Sequence, residues 1–84
     1  MGYNNIDEDS AQSAADRESE AIRILNRIGD TMVHLMHSGE YVPGVSMNAR
    51  IFVSELVDTL ELTGRLTISV KQLWWLRDLN EKVD

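Results

Sequence analysis

Eighty-four residues with 14 acids against 8 bases, a net charge of −6 and no cysteine allow one small domain and exclude a disulfide framework or a thiolate metal site. The sign of the charge opposes a phosphate-binding surface, and no apolar run approaches the roughly 18 residues of a membrane span. The acidity is concentrated at the start: Asp7, Glu8, Asp9, Asp16, Glu18 and Glu20 stand against Arg17, whereas the rest of the chain is nearly balanced. A soluble, cytoplasmic protein with no membrane partner is expected, and direct nucleic-acid binding is disfavoured.

Residues 1–9, MGYNNIDED, are polar and acidic without helical periodicity and read as a flexible arm; residues 10–84 read as a single helical domain. Ser10, Ser13 or Asp16 can cap a first helix over about 10–38, in which Ala21, Leu25, Ile28, Met32 and Leu35 recur at steps of four and three. Ile22, Gly29, Val33 and Met36 widen that stripe, and Gly39 closes the helix. Gly29 interrupts good helix formers; close packing of another helix explains it more simply than a hinge does. The length and spacing also suit antiparallel pairing with a second copy, so a homo-oligomer is expected.

Glu40 to Val45 is a loop, because Pro43 biases Val42 toward extended backbone and Gly44 permits a turn. A second helix over about 47–63 follows a cap at Ser46 or Asn48. Its inner face is Ala49, Phe52, Val53, Leu56 and Leu60, with Ile51 and Val57 broadening it; Arg50, Glu55, Asp58 and Glu61 take the other side, and Gly64 ends it. The third helix, about 69–82, has the clearest start: Ser69 and Gln72 form a capping box, and Ile68 and Leu73 are spaced as a hydrophobic staple. Leu73, Leu76, Leu79 and Val83 make one stripe, flanked by Trp74 and Trp75 about 100° apart. The predicted fold is all-α, a small three-helix bundle.

Little in the chain suggests catalysis. Asp30, His34 and His37 can share a helical face, but no further histidine and no cysteine completes a zinc site, and histidines near a helix C-terminus are explained by the dipole. No motif sets serine beside histidine and a carboxylate, and no glycine-rich phosphate loop is present. No enzyme activity, metal or cofactor is expected. The tryptophans are the most informative residues: both can pack within the bundle or a homodimer seam, or one can lie outside and meet a partner, with Trp74 expected to be the more exposed. The candidate partner-binding set is Trp74, Trp75, Tyr41 and Arg77, with Asp16, Glu18 and Glu20 as carboxylates that could engage a basic groove. The acidic end has a simpler reading as a solvated tail.

Phe52, Gly64, Leu66-Thr67, Lys71-Gln72, Trp75-Leu76 and Lys82 together resemble a helical hairpin of small bacteriophage and mobile-element proteins, over residues 51–83. The connector differs from the usual form, lengthened by Ile68, Ser69 and Val70. Anti-CRISPR proteins are similar in size and charge. The resemblance implies a phage accessory protein that binds and inhibits a host complex, such as a CRISPR-Cas defence or nucleic-acid machinery, in the host cytoplasm. One alternative is a helix-turn-helix-like regulator with Lys71, Gln72 and Arg77 in the groove, although Arg65, Lys71, Arg77 and Lys82 are offset by Glu61, Asp78, Glu81 and Asp84. Another is a subunit that binds only its own copies.

Overall fold

Three capped helices account for the architecture of the described residues. The computed structural model describes residues 13–83, which hold α1 (Ala14–Ser38), α2 (Met47–Thr63) and α3 (Val70–Lys82) and no strand. The expected arm at 1–9 lies outside the described residues, as do residues 10–12 of the range predicted for the first helix. Of the three possible first caps, Ser13 is the one used. Its hydroxyl accepts the Asp16 N–H at 3.1 Å while the Asp16 carboxylate accepts the Ser13 N–H, a reciprocal box that satisfies two orphan donors. Ser46 caps α2 and Ser69 caps α3, the latter in the expected box with Gln72. Gly39 and Gly64 stand just past α1 and α2 at φ of 69° and 72°, a left-handed conformation that lets each N–H return to the carbonyl four residues back. Replacing Ser69 with alanine is expected to cost about 1 kcal/mol, and with aspartate almost nothing; urea melts of the two variants check this.

α1 is the shared support, packing against both α2 and α3. All five residues of its predicted stripe are buried, joined by Ile24, which the stripe as drawn omits although it lies three after Ala21 and four before Ile28. α2 contributes Ala49 and Val53 with Phe52, Leu56, Val57 and Leu60 at the margin; α3 contributes Leu73, Leu76 and Leu79; and Val45, Leu66, Ile68 and Val83 close the ends. The apolar stripe of α1 that the sequence offers to a second copy is therefore covered by α2 and α3 of the same chain. α1 runs unbroken through Gly29, where a Cβ would stand 3.1 Å from Val57 Cγ2. Glycine is there because α2 comes close.

Two expectations for α2 need correction. Ile51, expected to broaden the inner face, is 40% exposed on the side away from α1, because it lies about 200° around the helix from Ala49. Arg50, assigned to the outer face of α2 with Glu55, Asp58 and Glu61, is 4% exposed. Its guanidinium donates to the carbonyls of Leu35 at 3.0 Å and Val45 at 3.2 Å, so a cation sits at the negative end of the α1 dipole and ties it to the following loop. Arg50 Nε is the one buried side-chain polar atom without a hydrogen-bond partner among the described residues. Two further arginines act alike. Arg17 Nε donates to the Ile68 carbonyl at 2.9 Å, and Arg27 Nη1 reaches the carbonyls of Asn80 and Val83 and the Asn80 side-chain oxygen at 2.8 to 3.0 Å. Leu35, Asn80 and Val83 stand at helix C-termini, whose carbonyls the helix leaves open, whereas Val45 and Ile68 precede the caps of α2 and α3, so there the arginine holds a loop carbonyl.

Candidate partner-binding surface

The position of α3 decides what its tryptophans do. With Leu73, Leu76 and Leu79 turned to the core, Trp75 lies about 100° around the helix from Leu76, and Trp74 about 200°, almost opposite the core. Trp75 faces α2 and stacks on Phe52, with ring centroids 4.4 Å apart and planes 9° from parallel. Neither indole is buried: Trp74 is 52% exposed and Trp75 39%. Trp74 is the more exposed ring, as expected, and Trp75 is pinned by the stack rather than by the core. Beside it runs a predominantly apolar groove of about 560 Å³ lined by Ser69, Lys71, Gln72 and Trp75. Lys71 is exposed at this groove and makes no ion pair among the described residues.

On the other flank of α3, Arg77 meets Glu20 of α1 in a two-pronged ion pair at 2.6 and 2.8 Å, the planar fork-to-carboxylate geometry that arginine favours. The pair lines a cleft of about 490 Å³ together with Arg23, Ile24, Arg27, Asn80 and Glu81. Glu18 accepts from Arg65 Nε and from the Leu66 backbone N–H, both at 2.8 Å, and so fastens the α2–α3 connector to the start of α1. The Arg65 hydrogen bond first, and the Leu66 N–H second, hold the Glu18 carboxyl below its ordinary value of 4.5. A carboxylate whose folded pKa is lowered contributes stability above its unfolded pKa and loses it as pH falls through the folded one. Glu18→Gln is therefore expected to narrow its stability difference from wild type as pH is lowered below about 4.5; melting curves from pH 7 to 3 measure the convergence.

The residues singled out in the sequence thus separate. Trp74 and Trp75 share the α3 face. Arg77 and Glu20 are brought together, but with each other, and Glu18 is engaged by Arg65. Asp16 is part of the α1 cap. Tyr41 is almost fully exposed on the α1–α2 loop, at a separate shallow hollow with Val42, Gly44, Val45 and Ser46. Of the four cations that a nucleic-acid surface on the last two helices would use, Arg65, Arg77 and Lys82 are in ion pairs with Glu18, Glu20 and Asp78. Phe52 is the residue whose role the sequence did not disclose; its spacing marks it as apolar, and only the approach of α3 makes it the platform for Trp75.

Among the described residues no group of three or more His, Cys, Asp or Glu converges as a metal site, and no helix is long and apolar enough to cross a membrane. The aromatic surface offers flat apolar area, one ammonium and hydrogen-bonding Ser69 and Gln72, which suits docking of a macromolecule. No family model, no curated protein and no solved structure matches the chain.

Proposed function

We propose that this chain is a non-enzymatic helical accessory protein that acts by binding another protein through the Trp74–Trp75 face of α3. The observation that carries this reading is the placement of Trp74. A large indole faces solvent opposite the core, next to a second indole already held rigid by Phe52. Tryptophan anchors contribute disproportionately to interfaces because covering them removes much apolar area at little conformational cost. In keeping with the resemblance over 51–83, the bound protein is a component of a host complex, of defence or nucleic-acid machinery, and occupancy of its surface is the means of inhibition. Self-association would use an uncovered face such as this one, since the apolar stripe of α1 is covered.

The test compares immobilised wild type with Trp74→Ala as baits in host-cell lysate. A discrete complex retained by wild type and lost by Trp74→Ala, with both baits melting alike, supports the reading. Recovery of the same proteins on both baits, or of none on wild type, overturns it.

A further inference from the structure

α2 is apolar on two sides. Its inner side carries Ala49, Val53 and Leu60 against α1. On the outer side Met47, Ile51, Glu55, Asp58 and Leu62 fall within an arc of about 80° at roughly 100° per residue. Met47 and Ile51 are 45% and 40% exposed, and Leu62, at 85%, is almost entirely in water. Packing against α1 covers only the inner side and leaves this outer stripe without a cover.

The charges on this outer side identify the cover. Glu55 and Asp58 lie within the stripe and Glu61 beside it, all exposed and none in a salt bridge among the described residues. By contrast Glu18, Glu20 and Asp78 each hold a cation. The single cation of α2, Arg50, is buried against the end of α1. A second copy of α2 laid across the first would set three carboxylates against three, a juxtaposition that opposes pairing. We propose that the outer stripe of α2 docks a basic amphipathic helix of another protein. Its apolar residues would cover Met47, Ile51 and Leu62 while flanking lysines or arginines pair with Glu55, Asp58 and Glu61. From Met47 to Leu62 the stripe is about 22 Å long, the length of a partner helix of about four turns. This contact is additional to the Trp74–Trp75 face and does not depend on it.

The probe is a labelled synthetic helix of roughly 18 leucines and lysines, lysines flanking one apolar stripe, with a leucine–glutamate peptide of the same pattern as its counterpart. Fluorescence anisotropy is read at about 0.1 M salt, where charges farther apart than about 10 Å are screened. The lysine peptide is expected to bind and the glutamate peptide not. Glu55→Lys with Asp58→Lys should weaken binding at least about tenfold and Leu62→Ser at least about fivefold, whereas Glu81→Lys on α3 and Trp74→Ala leave it unchanged. All these side chains are exposed; should the double lysine variant melt early, Glu55→Gln with Asp58→Asn replaces it. Absence of binding, or equal weakening by Glu81→Lys, overturns the proposal. So does a dimer in sedimentation that Leu62→Ser dissolves, because the cover would then be a second copy. Loss of peptide binding in Trp74→Ala would also overturn it, by placing the peptide on the other face.

Discussion

Leu76→Ala is expected to destabilise the protein by about 2–5 kcal/mol, whereas the same truncation at Leu62 changes stability by no more than about 0.5 kcal/mol. The chemistry removed is identical and only the surroundings differ. Leu76 is fully buried on the inward stripe of α3, and Leu62 is in water at the end of α2. A domain of this length has on the order of 4–13 kcal/mol to lose, so the first variant forfeits a large part of its stability. With a shift of about 4–8 °C per kcal/mol in domains of this size, its melting temperature should fall by at least about 8 °C. Thermal and urea melts followed by circular dichroism measure both variants. Similar melts for the two would mean that α3 is not packed on α1 as described.

Trp74→Ala should show the opposite division of effects. Because the ring points away from the core, its removal should leave the melt within about 1 kcal/mol of wild type. If the aromatic face is the docking surface, the same change should weaken the complex by about 2–4 kcal/mol, roughly 30- to 1,000-fold in Kd. Trp75→Ala should affect both quantities. It loses the stack on Phe52, about 0.5–1.5 kcal/mol beyond the area covered, as well as the platform beside Trp74. Paired measurements of melting and of binding to the captured complex distinguish the two positions. A Trp74→Ala variant that melts below Trp75→Ala would contradict the geometry.

The most legible parts of the chain were those whose physics is local. The Ser69–Gln72 box, the stripe of Leu73, Leu76 and Leu79, and the glycines after α1 and α2 all appear where the spacing puts them. Each depends on residues within about four positions of one another. Ile24 was legible too, since its offsets from Ala21 and Ile28 are helical. Arg50 was not. Its charge marks it as a surface residue on any helical wheel, and only the nearness of the end of α1 supplies carbonyls that make burying it tolerable. Neither sequence reading of Glu18 and Glu20, solvated acids or carboxylates for a basic groove, includes their ion pairs, because Arg65 and Arg77 come from distant parts of the chain.

Caps and periodicity are set by neighbours along the chain, so the three capped helices of the described residues, each with an apolar side, are readable from the sequence alone. It also shows that both tryptophans cannot face one core, since consecutive helical residues diverge by about 100°. Which apolar surface stays uncovered depends on how the helices pack. α1 is enclosed by α2 and α3, Trp75 is claimed by Phe52, and Trp74 and the outer stripe of α2 are left to solvent. The reason is that exposure belongs to the arrangement of helices around one another, which depends on the loops and on crossing contacts far apart in sequence, and no single helix encodes it.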